Sequence, residues 1–167
     1  KVTSSATYAP TGVTANATYT AKGTRSLRSY TVTYNKGSYI SSVSRSSESV
    51  SYGSNAAGST ATVMASDAQY TYGFDGWYNG STRVSTSVTY APTNITGAVT
   101  LEARGTRTTK SYTISVSLDS SAAGRGSVSG GGSYAYGASA TVKCTKTNSQ
   151  DVFDGWYEGS TRVSTSL

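Results

Sequence analysis

"FDGWYNGSTRVSTS" occupies residues 74–87 and "FDGWYEGSTRVSTS" residues 153–166, with thirteen of the fourteen positions identical. Both tryptophans of the chain, Trp77 and Trp156, and both phenylalanines, Phe74 and Phe153, lie in these two stretches, and Tyr78 and Tyr157 follow the tryptophans directly. A motif of this kind is either a paired aromatic binding surface or the part of a repeated fold that cannot vary.

The repetition extends outward from the motif. Residues 1–34 match residues 83–116, placing Lys1 on Arg83, an offset of 82, while "GSTATV" at 58–63 matches "GASATV" at 137–142, an offset of 79. The first copy is therefore three residues longer between Tyr34 and Gly58, where a surface turn would absorb the difference. On this phasing residues 1–28 are the C-terminal part of a repeat unit, 29–110 a complete unit, and 111–167 the N-terminal two-thirds of a further one. Boundaries inside units imply either an excerpt of a longer tandem array or an N-terminal tail that completes the C-terminal unit, within the chain or in a neighbour. No signal peptide is visible and the chain starts at Lys1, which reads as a processed protein or a window of a longer one.

Composition restricts the fold class. Fourteen of the eighteen aromatics are Tyr, 13% of residues are charged, and Gly, Ser and Thr are abundant, which disfavours long helices. Val, Thr and Tyr alternate with period two around Tyr30, Val32 and Tyr34 and again around Tyr112, Ile114 and Val116. Short strands are also expected at Ala61 and Val63, at their counterparts Ala140 and Val142, and at 74–78. A strand through Val88 and Tyr90 should stop at Pro92, and Ile95, Val99, Leu101 and Ala103 should close the unit. The fold class is all-β to β-rich, with five or six short strands per unit of about 80 residues. So little large apolar area makes a single unit marginal on its own. No apolar run is long enough to span a membrane as a helix.

The order of motifs carries a family resemblance. "YTISVSLDSSAAGRGSVSGGGSYAYGASATVKC", then "FDGWYEGSTRVSTS", with the unit ending "VTYAPTNITGAVTLEARG" supplied by the first copy, resembles the Listeria–Bacteroides repeats in their divergent internalin B-repeat form. The stretch "SVSRSSESVSYGSNAAG" of the first unit departs from the family's Gly-rich pattern. The resemblance implies β-grasp-like small modules strung along bacterial surface proteins, acting as stalks or adhesive parts and not as enzymes.

The chemistry is sparse. There is no His and there are eight carboxylates, so the commonest general base and any Ser-His-Asp or Cys-His arrangement are missing. No catalytic residue, metal ligand or cofactor motif is assigned. The Gly-rich "GRGSVSGGG" at 124–132 lacks the Lys-Ser/Thr that a phosphate-binding loop needs. Cys144, opposite Ala65 in the other copy, reads as a small buried residue. Asp75 and Asp154 precede glycines and read as turn or bulge residues; Asn79 with Gly80, and Glu158 with Gly159, mark hairpin turns. The Asn-x-Ser/Thr triplets at Asn16, Asn79 and Asn94 read as incidental.

Phe74, Trp77, Phe153 and Trp156 are expected as core anchors, since each unit has few other large apolar side chains. Tyr78 and Tyr157, on the opposite parity from Trp, are candidates for surface contact. So are Arg104, Arg107 and Lys110, repeated as Lys22, Arg25 and Arg28, whose spacing alternates faces along a strand. The basic residues serve either as a solvated connector or in adhesion to a cell-surface glycan or other anionic polymer; nucleic acid fits least, because the charge of +6 is modest and no known motif accompanies it. The sequence thus reads as a non-enzymatic extracellular repeat protein, a surface stalk, adhesin or filament building block whose partners are neighbouring units or identical subunits. The alternative is a carbohydrate-binding module using Tyr and Trp stacking; the accessory domain of an enzyme is a third reading.

Overall fold

The computed structural model describes residues 4–167. Eight strands lie within residues 29–110: β1 (Ser29–Lys36), β2 (Ile40–Val43), β3 (Ser47–Ser51), β4 (Ser59–Val63), β5 (Tyr70–Asn79), β6 (Thr82–Ser85), β7 (Thr89–Tyr90) and β8 (Val99–Thr109). Six follow: β9 (Ser111–Ile114), β10 (Gly126–Ser129), β11 (Gly132–Ala135), β12 (Lys143–Lys146), β13 (Trp156–Glu158) and β14 (Thr161–Ser164), with a single 3-10 turn at Ser120–Ala122. The protein is β-rich with several small sheets. The first copy has more strands than the five or six expected. The surplus, β2 and β3, arises in a Ser-rich stretch with only Ile40, Val43 and Val50 as apolar markers.

A five-stranded sheet has the order β3-β1-β8-β5-β6, and a three-stranded sheet the order β2-β4-β7. β8 is central: it runs parallel to β1 and antiparallel to β5. Its Val99, Leu101 and Ala103 alternate toward the interior, as Val32 and Tyr34 do on β1. Both sheets feed one core of Val32, Tyr34, Ile40, Ala61, Trp77 and Leu101, with Ile95 contributed by the β7–β8 connection. β7 stops at Tyr90, two residues before Pro92. Among the described residues, every buried one except Cys144 lies between Val32 and Ala103.

The parallel pairing sets where the chain enters and leaves. Val32 lies beside Val99 and Lys36 beside Ala103, after which β8 continues to Thr109. At roughly 3.3 Å per residue, entry at Ser29 and exit at Thr109 are about 40 Å apart, at opposite ends of the sheet. Only Lys110 separates β8 from β9.

The region from Ser111 onward is organised differently. β9 pairs with β11, β10 with β12 and β13 with β14, as three separate two-stranded sheets. Residues 140–142 form no strand, unlike their counterparts in β4, because β4 is held between β2 and β7 and no such neighbours flank the later copy. Residues 4–28 are exposed throughout and contain no strand.

Candidate functional site

The motif at 74–87 builds the β5–β6 hairpin, whose register shifts between Trp77 and Tyr78, and a second irregularity, where β5 pairs with β8, orients the aromatic side chains. Phe74 lies opposite Gly105 and Gly76 opposite Arg104, so Asp75 is an extra, bulged residue. The bulge resets the alternation and brings Phe74 and Trp77, three apart, to the same face. Trp77 is fully buried, its indole Nε1 donating to the Val88 carbonyl at 3.1 Å and its ring edge-on to Tyr34 at 5.7 Å. Phe74 is partly buried against the same core. Gly76 is required sterically: a Cβ there would stand 2.6 Å from the Ser85 carbonyl oxygen.

Tyr78 faces the other way. Its hydroxyl donates to Asp75 Oδ2 at 2.6 Å, and that hydrogen bond, ahead of desolvation, raises the phenol's pKa. The Arg83 guanidinium reaches the other Asp75 oxygen at 3.2 Å. Arg104 stacks 4.3 Å above the Tyr78 ring while bonding Glu102 and the Gly80 carbonyl, so it is fully engaged.

The second copy repeats the hairpin and loses its surroundings. Trp156 lies opposite Ser164, Tyr157 opposite Arg162 and Glu158 opposite Thr161, the register of Trp77, Tyr78 and Asn79 on β6, with the same shift after the tryptophan; the Asp75 bulge, made against β8, does not recur, since β13 pairs with β14 alone. Tyr157 again donates to Asp154, and Arg162 pairs with Asp154 at 3.3 Å. Phe153 and Trp156, expected in a core, are only half-buried; they contact each other at 5.8 Å, and no strand covers them as β8 covers Trp77. Tyr157 is half exposed.

Arg104 and Arg107 of β8 and Lys110 just beyond it do not gather into one patch. Arg104 belongs to the outer face with Tyr78. Arg107 lies opposite Tyr72 on the arm where β5 and β8 outrun β1, its guanidinium 4.2 Å over Tyr70 and 5.2 Å over Tyr39. Lys110 Nζ donates to the Asp67 carbonyl. Tyr39 and Tyr72 (5.7 Å) and Tyr70 and Tyr72 (6.2 Å) complete an aromatic cluster around Arg107 that sequence reasoning missed. Tyr39 sits at φ 61°, a conformation uncommon for a bulky side chain, and is held there by the Met64 N–H donating to its carbonyl. The cluster is specific to this copy, since Tyr70 and Tyr72 correspond to Ser149 and Asp151 in the other.

A second network lies in the stretch that departs from the Gly-rich pattern. Glu48 accepts from the Tyr34 hydroxyl at 2.7 Å and from the Ala57 and Gly58 N–H groups at 3.0 and 2.9 Å. Desolvation pushes the Glu48 carboxyl up, but these donors and nearby Arg45 outweigh it and hold the pKa below the usual range. Tyr34 is driven well above the ordinary phenol value, by burial first and by its bond to Glu48 second. With Tyr34 replaced by Val116 in the other copy, this reads as a structural lock.

A depression of about 340 Å³ beside the β7–β8 connection is lined by no charged side chain. Among the described residues no group of three or more His, Cys, Asp or Glu stands close enough to hold a metal ion. No helix among them is long and apolar enough to cross a membrane. No family model, curated protein or solved structure matches the chain.

Proposed function

We propose that the protein is a non-enzymatic, extracellular repeat protein whose units are strung in one direction to form a stalk, adhesin or filament, in the manner of the Listeria–Bacteroides-type surface repeats it resembles. One observation carries this reading: the FDGWY hairpin recurs 79 residues apart with the same register, the same shift after the tryptophan and the same Asp–Tyr–Arg contacts, and in residues 29–110 the chain enters at one end of the sheet and leaves at the other. A ligand site has no need to recur with the same hairpin register and contacts, whereas a repeated fold does. Trp77 is closed to any sugar, being fully covered.

Scattering from the chain lengthened by a further copy of residues 29–110 tests the reading. Its maximum dimension should grow by about 40 Å, the span of one unit. Growth of only a few ångströms, from compact side-by-side packing, would refute it.

A second reading, carbohydrate or anionic-glycan binding, rests on the cluster of Tyr39, Tyr70, Tyr72 and Arg107. Tyrosines offer stacking area at low entropic cost, and this cluster is absent from the other copy. A glycan panel screened against the protein and its Tyr70→Ala variant decides it: binding lost in the variant supports the reading, and no binding at all ends it.

A further inference from the structure

We propose that the arm formed by β5 and β8 binds the carboxylate-bearing sugar units of an acidic polysaccharide, with Arg107 holding the carboxylate and Tyr39, Tyr70 and Tyr72 the sugar ring. The inference rests on the glycan-binding reading of this cluster given above and narrows it to one chemical class, a polyuronate.

The platform exists because one strand of the sheet ends early. β1 accompanies β8 only as far as Ala103, whereas β5 stays paired with β8 out to Tyr70 and Thr109. Beyond Ala103 the two strands form an arm, and Tyr72 and Arg107, directly opposite each other, share one of its faces. Gly105 lies on that same face, two residues before Arg107. Its lack of a side chain admits Tyr39: a Cβ at Gly105 would stand 3.2 Å from the Tyr39 Cβ and 2.9 Å from the Gly73 carbonyl oxygen. The Gly105 N–H donates to the Ser38 carbonyl at 2.9 Å and so fixes the turn that carries Tyr39. The far end is pinned by Asp67, whose Oδ1 accepts from the Gln69 and Tyr70 N–H groups at 2.8 and 2.7 Å. The rings are therefore in place before any ligand arrives, which lowers the ordering cost of binding.

Arg107 is held in position without using its hydrogen-bond donors. Its guanidinium lies over the rings of Tyr70 and Tyr39, and it has neither a hydrogen bond nor an ion pair. The other arginines of residues 29–110 are engaged: Arg45 donates to the Gly58 carbonyl, Arg83 to Asp75 and Arg104 to Glu102. Asp67, the carboxylate of the adjoining turn, is committed to its two N–H donors, and Lys110 adds a second positive charge beside it. What remains is an ordered, exposed planar fork that matches the two oxygens of a carboxylate.

The surroundings select the rest of the ligand. The hydroxyls of Tyr39, Tyr70 and Tyr72 have no protein partner, unlike those of Tyr34 and Tyr78, which bond Glu48 and Asp75. A sugar acid supplies an apolar C–H face for the half-buried rings, hydroxyls for the phenols and a carboxylate for Arg107. A neutral sugar would cover the guanidinium and leave its donors unpaired, and an inorganic anion would leave the three rings unused. The cluster lies on an open strand face, so an internal unit of a polymer can be seated without a chain end.

The test measures binding of the whole chain, by calorimetry, to oligomers of galacturonate, glucuronate and mannuronate. Each is set beside its methyl ester, and dextran sulfate and a neutral glucan complete the series. Wild type should bind at least one uronate oligomer, and the matching ester at least about tenfold more weakly. Arg107→Ala and Arg107→Lys should each weaken binding by about tenfold or more, because Lys keeps the charge without the fork. Arg83→Ala, which removes an equal charge away from the cluster, should stay within about twofold of wild type. Unchanged tryptophan emission shows that each variant keeps its fold. An ester or neutral glucan that binds as tightly as the uronate would overturn the proposal and leave the glycan reading standing. Dextran sulfate binding as tightly, or full affinity in either Arg107 variant, would overturn it as well. No binding to any glycan would remove both.

Discussion

Replacing each tryptophan in turn should have very unequal effects, although the sequence around the two is almost identical. Trp77 is 0% exposed, contacts Tyr34 edge-on and donates to the Val88 carbonyl. Burying about 200 Å² of indole at ~25 cal/mol per Å² stabilises by about 5 kcal/mol as an upper figure, and Trp→Ala substitutions in cores cost about 3–5 kcal/mol. A unit the size of residues 29–110 has a total stability of about 4–12 kcal/mol. Trp77→Ala should therefore remove much of that stability or unfold the unit outright. Trp156 is half-buried, outside the main core, and Trp156→Ala should cost at most about 2 kcal/mol, confined to its own hairpin. Urea unfolding followed by far-ultraviolet circular dichroism, at concentrations low enough to keep the chain monomeric, measures both. Single-tryptophan variants supply the control: with Trp156→Phe the remaining Trp77 should emit in the blue and shift red on unfolding, and with Trp77→Phe the remaining Trp156 should emit further to the red from the start. Equal costs for the two alanine variants, or equal emission maxima, would refute the assignment of Trp77 to the core and Trp156 to an uncovered sheet.

Other outcomes follow from the same contacts. Because the folded pKa of Glu48 is lowered, its contribution to stability is complete above the ordinary carboxylate value near ~4.3 and is lost as pH falls through the lowered folded value; Glu48→Gln should flatten that acid limb in a series of urea melts. Tyr34 has the opposite sign: its folded pKa is raised, so its contribution is complete below about 10 and fades as pH rises through the higher folded value. Tyr34→Phe should abolish that alkaline limb. Asp75→Ala should bring the Tyr78 phenol back down toward its ordinary range, seen in an ultraviolet titration, because the Asp75 hydrogen bond is the largest cause of its rise. Gly137→Ala should cost only left-handed backbone strain, about 1–2 kcal/mol, whereas Gly58→Ala adds a collision with Tyr90 and Ala91 and should cost clearly more by thermal melting.

The strands that the sequence made legible are those with period-two alternation and a buried face. Val32 and Tyr34 on β1, and Val99, Leu101 and Ala103 on β8, were readable because each buries one face and solvates the other. The alternation on β9 is just as plain, yet Tyr112 and Ile114 lie exposed, because burial depends on a neighbouring strand and not on the pattern itself. The same reason separates Trp77 from Trp156. The Arg107 cluster was not legible: Tyr72 and Arg107 meet only through the long-range pairing of β5 with β8, and Tyr39 joins them from a left-handed turn with no sequence signature. The Glu48 network left one trace, the departure of its stretch from a Gly-rich pattern, but nothing in that departure indicates Tyr34 as its partner.

The placement of β1 beside β8 has a mechanical consequence. Tension applied through Ser29 and Lys110 would pull these two parallel neighbours in opposite senses along their length, so their ladder from Val32 and Val99 to Lys36 and Ala103 would be loaded in shear. Rupture would then require several hydrogen bonds to break together, where an antiparallel hairpin pulled at its open end peels one bond at a time. Residues 29–110 would thus resist tension applied along the direction of β1 and β8 better than tension applied across it.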